Sequence, residues 1–520
     1  MPTLNWIGKD KVVNHHLDVP FRTLEKQYTF APNGGDDDGN MIIHGDNLDA
    51  LKALLPIYEG RVKCIYIDPP YNTGNEKWVY NDNVNDPHIK AWLGKVVGAE
   101  GEDLSRHDKW LCMMYPRLKL LQKLLAENGV IFISIDDTEY ANLKLICDEI
   151  FGNYSETIVW QKRTSPDARK KLSSGHEYIL IYTKNPDQNL GLRLLPLEGK
   201  DAEAYVNPDN DPRGPWISSP FTAPGYRPNQ MYPITTPTGK TVLPPKGRCW
   251  CNIEEVYQRL LSEGRMWFGA DGNGVPRRKT YLSEREGRGT WTWWTNSEVG
   301  YTQIATQELA TILGKAVFDY PKPVRLIERI LKIASDPDSI ILDSFAGSGT
   351  AAHAVLNMNK QDGGNRKFIL VEMGDYAESI TAERVRRVIN GYGEGNKAVE
   401  GTGGGFSFYE LGDALLINGM LNPNAAEEKI RAYVYYTETR CALPAASENE
   451  KYLLGVHENH AYYFYYEADR MTTLNRAFLQ TIQTRAEGYL IYADSNTLSA
   501  EDMARFHITF KKIPRDIAAL

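Results

Sequence analysis

Apolar runs of strand length alternate along most of this chain with segments whose leucines and isoleucines recur at helical spacing. Met41-Ile42-Ile43 reads as a short strand that runs into His44-Gly45-Asp46-Asn47, and Leu48 to Leu55 as a helix. Val62 to Ile67 is a buried strand, and it must stop at Asp68-Pro69-Pro70-Tyr71 because proline cannot donate to a sheet ladder. Trp110 to Glu127 has helical periodicity, with Asn128-Gly129 as its stop signal. Val130 to Ile135 is a strand, Thr138 to Phe151 a helix, and Ile158-Val159-Trp160 and Tyr178 to Tyr182 are further strands. The pattern lapses over residues 186–310, which are rich in Pro, Gly, Arg and Trp, with one helical stretch at Ile253 to Leu261. It then resumes with a helix at Val324 to Ala334, a strand at Ile340-Ile341-Leu342, a helix at Thr350 to Met358, a strand at Phe368 to Val371 and a helix at Ile380 to Ile389.

Such alternation predicts an open α/β sheet with helices on both faces. The expected organisation is an irregular arm over 1–40, two α/β parts over 41–185 and 311–400, an insert of different composition over 186–310, and a small α+β domain over 401–520. In the last, the tyrosine-rich tail, including Tyr462-Tyr463-Phe464-Tyr465-Tyr466, reads as half-buried strand. Trp291, Trp293 and Trp294 read as core of the insert.

The composition suits a globular chain that buries a real core: 520 residues, 42% hydrophobic and 24% charged. Net charge −8 argues against binding nucleic acid by global charge but leaves room for a local basic cleft. Met1 to His16 is polar, without an apolar core of signal-peptide length, and no run is long enough to cross a membrane, so a cytoplasmic location is expected. Six cysteines show no paired framework, and Cys249 and Cys251 lack zinc-site spacing, so no metal is expected. Gly239-Lys240-Thr241 resembles the end of a phosphate loop, but Ile234 stands where its first glycine is required. His176-Glu177 has no second histidine at helical spacing, which excludes a zinc protease helix.

Two segments carry chemistry. Asp343-Ser344-Phe345-Ala346-Gly347-Ser348-Gly349-Thr350 closes a strand with a glycine turn and opens a helix, and Glu372 ends the next strand. Glycines there let a ligand approach the backbone, and a carboxylate in Glu372's position can accept from ribose hydroxyls. Because Gly347 to Ala352 also satisfies G-x-G-x-x-A, a dinucleotide oxidoreductase is a fair rival for this loop. Asp68-Pro69-Pro70-Tyr71 lies at the same carboxyl edge. Its prolines make the turn rigid and leave acceptors, the Asp68 carboxylate and the Pro69 carbonyl, that match the two N–H donors of an exocyclic amine. Holding both protons aims the nitrogen lone pair at an electrophile, and Tyr71 can stack on the base that carries the amine.

These motifs resemble those of amino-group DNA methyltransferases, and their order, D-P-P-Y first and F-A-G-S-G-T last, resembles the β class. I-D-P-P-Y-N-T-G over Ile67 to Gly74, I-S-I-D-D-T-E-Y over Ile133 to Tyr140, P-K-P-V-R-L from Pro321, Trp6-Ile7-Gly8-Lys9 and the closing Lys511-Lys512-Ile513-Pro514-Arg515-Asp516 resemble the modification subunit of type III restriction-modification systems. Asp319-Tyr320 before Pro321 departs from the threonine that the family pattern carries there. The resemblance implies a Rossmann-like S-adenosyl-L-methionine-dependent sheet, with 186–310 as a target-recognition domain and transfer of a methyl group to N6 of a flipped adenine. Asp68, Pro69, Pro70 and Tyr71 would hold the base. Asp46, Lys322, Asp343, Phe345, Ala346, Gly347, Ser348, Gly349, Thr350 and Glu372 would hold the cofactor, Asp46 alternatively being a helix cap. Asp136 and Asp137 follow a strand at the same edge and are further candidates.

Expected partners are double-stranded DNA, a second copy of the chain and an ATP-dependent restriction subunit. Candidate DNA contacts are Lys162, Arg163, Arg169, Lys170 and Lys171, and in the insert Arg277, Arg278 and Lys279, against the alternative of a solvated face. Three rival readings stay open: an oxidoreductase, a silent recognition subunit, and a methyltransferase acting on RNA or protein glutamine.

Overall fold

The computed structural model describes residues 3–32, 35–73, 106–152, 154–185, 192–395, 398–417 and 419–515. Gly74 and Asp516 of the quoted motifs, Asn33 and Gly34 of the expected arm and the first residues of the 186–310 segment lie outside them. The chain divides into two compact units, Leu194–Thr290 and the remainder.

The larger unit is built on a ten-stranded sheet. Its strands, in chain order, are β1 Arg22–Phe30, β2 Met41–His44, β3 Val62–Ile67, β4 Leu125–Ile135, β5 Tyr154–Gln161, β6 His176–Thr183, β7 Trp293–Trp294, β8 Ile340–Asp343, β9 Lys367–Glu372 and β10 Phe406–Ala414. They lie side by side as β1-β10-β2-β9-β8-β3-β4-β6-β5-β7. All neighbouring pairs from β10 to β4 are parallel, while β1 and β6 run antiparallel to their neighbours.

The central strands are apolar on both faces, as a doubly covered parallel sheet requires. Ile65, Ile67, Ile131, Ile133, Leu342, Ile369 and Val371 join the main core cluster, while Cys64, Phe132, Ile341, Phe368 and Leu370, on the alternate positions, are equally buried. The helices form two groups. α1 Asn47–Tyr58, α2 Arg106–Leu124 and α3 Tyr140–Phe151 pack together, and so do α4 Thr302–Leu313, α5 Val324–Ala334, α6 Thr350–Asp362 and α7 Glu383–Asn390. α2 ends at Leu124, before Asn128-Gly129, because β4 pairs with β3 from Leu125 onward.

Residues 22–30, expected to be irregular, form β1. This is an edge strand with polar outer positions, Glu25, Lys26 and Gln27 being exposed, so its strand signal is weak. Its partner β10, assigned from sequence to the C-terminal region, lies inside the main sheet between β1 and β2. Trp293 and Trp294, expected in the core of the insert, instead make β7 beside β5. Trp294 is fully buried there, while Trp291 and Trp293 are exposed. A two-residue strand is too short to show a period.

After β10, α8 Glu427–Thr439 precedes a four-stranded sheet of Leu453–His457, His460–Phe464, Gly488–Ala493 and Ile508–Lys512. Tyr463, Phe464 and Tyr466 are buried, so the tyrosines serve as packing. In the unit Leu194–Thr290, Phe221, Trp250, Tyr257, Leu260 and Phe268 make the core around the helix Glu254–Ser262.

The closing segment is fastened by one buried charge pair. Arg515 Nε donates to Asp494 Oδ1 at 2.6 Å, and its other nitrogens reach Asp494 Oδ2 and the carbonyls of Glu467 and Arg470. Burial opposes ionisation of Asp494, but Arg515 and Thr472 outweigh it and hold the carboxyl below its usual range. Replacing Arg515 with methionine strands a buried carboxylate and is expected to destabilise this region by about 3–5 kcal/mol, seen as a lower melting temperature. The pair's contribution is complete above the ordinary aspartate range and fades as pH falls through the depressed value, so the gap between variant and parent should narrow in acid.

Candidate active site

Parallel pairing brings both motifs to one edge. Leu342 lies opposite Ile65, so continuing the register sets Phe345 level with Asp68. β6, running the other way, starts at this edge, and Ile135 opposite Tyr178 sets Asp136 level with Glu177. The result is a cleft of about 930 Å³ lined by Asp68 to Tyr71, Asp136 to Thr138, Lys162, Glu177, Lys322, Asp343 and Phe345 to Ser348.

The proline turn is locked from behind. Trp110, fully buried, donates Nε1–H to the Pro70 carbonyl at 2.6 Å. Asn72, at φ 59°, is buried and donates to Glu139 Oε1 at 2.5 Å, and Glu139 also takes Asn142 and the ring of His107. In front, Lys322 Nζ stands 2.5 Å from Asp68 Oδ2, while Asp68 Oδ1 is enclosed and has no hydrogen-bond partner among the described residues. Burial raises the Asp68 carboxyl above its ordinary range; Lys322 opposes this and Glu177 adds to it.

The sequence reading missed Glu177 except as part of a rejected zinc motif. Its carboxylate takes the Tyr71 hydroxyl at 3.1 Å and Lys162 Nζ at 3.0 Å, with Lys322 Nζ at 3.7 Å. Burial alone would raise it, but Lys322 and Lys162 bring it below the usual glutamate value.

The glycine turn is held by its own set of partners. Gly347 and Gly349 both have positive φ, 52° and 78°, and a Cβ on Gly349 would come within 3.2 Å of the Thr381 carbonyl. Thr381, in a π-helical turn over Ala377–Ala382, donates to the Gly347 carbonyl at 2.6 Å. Arg384, buried, donates to the Ser348 carbonyl and hydroxyl and to Thr350 Oγ1. Its signal was legible: Ile380, Arg384 and Val388 share one apolar helix face. Asp343 accepts the Phe345 N–H at 3.1 Å, and burial pushes its carboxyl well up.

Several expected residues sit differently. Asp46 caps α1 through the Leu48 N–H and pairs with Arg117, and it is not among the described cleft residues. Glu372 is buried behind the turn, accepting Gly347 N–H at 2.7 Å and Gly374 N–H at 2.9 Å, so it braces the loop from outside the cleft. Lys322 is engaged with Asp68, the acceptor of the proline turn. Lys162, Arg163, Arg169 and Lys170 line the cleft mouth, Lys162 ion-paired and Arg169 clamped on Asp167; Lys171 is exposed and outside the lining. In the unit Leu194–Thr290, Arg278 is exposed and Arg277 is tied to Ser218. Lys279 cannot be a surface contact. Strand alternation turns it inward, where it is buried against Asp209 and Asp211 beneath Trp216. No group of three metal-ligating side chains occurs among the described residues.

A rigid acceptor turn facing a glycine turn across the carboxyl edge of an α/β sheet is the layout of a methyltransferase. The chain belongs to the DNA methylase family, whose model matches residues 62–383. It is 40% identical over 351 residues to the type III restriction-modification enzyme StyLTI Mod subunit of Salmonella typhimurium, covering 64% of this chain and 52% of that protein. It is 32% identical over 423 residues to the EcoPI Mod subunit of Escherichia phage P1, covering 71% and 63%. To the type II methyltransferase M.KpnI of Klebsiella pneumoniae it is 34% identical over 364 residues, covering 65% and 81%. The chain therefore spans between about half and just under two thirds of the type III subunits.

Burial pushes the Glu372 carboxyl up to about 7 against the opposing Gly374 and Gly347 amides. A proton held more tightly in the folded state than in the unfolded one stabilises fully below the ordinary glutamate range and stops doing so as pH rises through about 7. Stability of the parent should thus fall between pH 5 and 8 relative to Glu372→Gln. Denaturant midpoints measured across that range check it, and parallel curves would refute it.

Proposed function

We propose that this chain is a site-specific DNA methyltransferase that uses S-adenosyl-L-methionine to methylate N6 of an adenine flipped out of double-stranded DNA. Within that reading it is the modification subunit of a type III-like restriction-modification system. The observation that carries it is the single cleft lined by both Asp68–Tyr71 and Phe345–Ser348. Similarity to the Mod subunits and an aspartate in the first position of the proline turn favour adenine over cytosine and DNA over other substrates.

The residues present fit the cofactor. The left-handed, Cβ-free Gly347 faces the cleft between Phe345 and Ser348, and Asp343 offers a carboxyl in its wall. When bound, the cofactor supplies an electrophilic methyl group. The chain supplies position and oriented acceptors. Asp68 Oδ1 takes one N–H of the exocyclic amine and the Pro69 carbonyl the other, which leaves the nitrogen lone pair exposed. The buried Asp68, with its raised carboxyl, accepts the departing proton more readily than an exposed aspartate would, directly or through water. Tyr71 stacks on the ring. Asp68 and the prolines lie at the floor of the strand edge, so a paired base must leave the duplex to reach them. Arg163, Arg169 and Lys170 at the mouth fit phosphate.

The same reading includes association with a second copy and with a restriction subunit; the relatives named as Mod subunits of restriction-modification enzymes support the latter. Long-read sequencing of DNA from cells expressing the chain should show N6-methyladenine in one asymmetric motif. Asp68→Ala should lower transfer by about 10²- to 10³-fold while equilibrium dialysis shows retained cofactor binding. Gly347→Val should lose that binding. Unmodified DNA from folded parent protein would overturn the proposal.

A further inference from the structure

Two carboxylates and two lysines meet inside the cleft, and their connections are unequal. Asp68 is bonded to Lys322 through Oδ2 and lies beside the Tyr71 phenol, while its Oδ1 has no hydrogen-bond partner among the described residues. Glu177 is shared by Lys162 at 3.0 Å, Tyr71 at 3.1 Å and Lys322 at 3.7 Å. Lys322 Nζ also lies 5.0 Å from the centre of the Tyr71 ring. Glu177 itself is nearly enclosed, in the first residues of a strand paired on both sides. Nothing in the methyl-transfer chemistry described above uses it, yet a buried carboxylate in such a place is costly unless its partners are needed.

We infer that Glu177 is a positioning residue for the transfer. Through the phenol it fixes the plane of the Tyr71 ring on which the base stacks, and through Lys322, which it shares with Asp68, it draws off a positive charge that would otherwise fall on Asp68 alone. The inference rests on the methyltransferase reading. The phenol of Tyr71 is tethered at its far end, so the ring cannot swing about its Cα–Cβ bond without breaking a hydrogen bond to a charged acceptor. With Glu177 neutral, Lys322 pairs more closely with Asp68 Oδ2, which weakens the carboxylate as an acceptor at Oδ1, the oxygen meant for the amine.

The groups that face this pair are Tyr66 from β3, Asp136 after β4, Lys162 after β5, Lys322 before α5 and Asp343 at the end of β8. Among them Glu177 is a like charge to Asp68, and it disfavours ionisation of Asp68. Removing its charge must therefore make Asp68 ionise at lower pH, while removing the positive charge of Lys162 must do the opposite.

The test uses the full chain, labelled S-adenosylmethionine and unmodified plasmid DNA that carries the motif modified by the parent. Glu177→Gln should lower kcat about 10- to 100-fold with KM for the cofactor near the parental value, and should move the acid limb of the kcat profile to lower pH. Glu177→Asp keeps the charge but loses reach to Tyr71, so its kcat falls while its acid limb stays in place. Lys162→Met should move the limb to higher pH. Parental kcat in Glu177→Gln would overturn the inference, and so would lowered rates with limbs unmoved in both Glu177→Gln and Lys162→Met, since a merely structural role would do that. If Glu177→Gln fails to fold, the Lys162→Met and Glu177→Asp profiles decide alone. A parent that methylates no DNA at all defeats the methyltransferase reading instead.

Discussion

The site exists because Val62–Ile67 pairs in parallel with Ile340–Asp343. These strands are far apart in sequence, yet both run out at the same edge and both end in turns that cannot continue a ladder. One is stopped by prolines and the other by glycines at positive φ. Because alternate residues of these strands are buried on opposite faces, slipping the register by one would exchange the side chains packed against the two helix layers. The core thus fixes the height of Asp68 against Phe345, and the chemistry inherits that spacing. Trp110 on one side and Thr381 and Arg384 on the other then stop each turn from relaxing.

Charge in the cleft follows from the same edge. Asp68, Glu177 and Asp343 line it and Glu372 lies just behind, so carboxylates crowd a poorly solvated place. Burial raises Asp68, Asp343 and Glu372; Glu177, with two lysines beside it, is lowered. At an effective dielectric near 20 a unit charge about 4 Å away is worth about 4 kcal/mol, enough to decide which carboxyl ionises first. Lysine placement, more than the number of acids, therefore sets the protonation pattern that an incoming amine meets.

Much of this was legible in the sequence, and the failures have physical causes. Continuous apolar runs ending in Asp-Pro-Pro-Tyr and Phe-Ala-Gly-Ser-Gly report buried parallel strands and their turns directly, since few other residues satisfy those backbones. Glu177 was hidden because β6 is antiparallel, so the residues at the active edge start a strand and precede its apolar run. Lys279 was misread because a basic triplet on a strand points alternately in and out, and sequence alone does not say which. Asp46 and Glu372 were correctly placed at strand ends, but their carboxylates satisfy backbone N–H groups, a competing use that only three-dimensional neighbours reveal. β1 escaped notice because an edge strand needs only one apolar face.

The reversal of β6 has a consequence for precision. A side chain that begins a strand paired on both sides is anchored by a hydrogen-bonded ladder, whereas one that follows a strand depends on loop conformation. Asp68 obtains comparable rigidity from two prolines. Asp68 and Glu177 are therefore held by backbone constraint, while the cations that serve them, Lys162 and Lys322, are long side chains with several rotatable bonds. Fixed acceptors and movable cations are the arrangement expected where an amine must join an acceptor that already holds a cation on its other oxygen without the acceptor itself moving, because reorganisation then costs side-chain rotamers and not backbone.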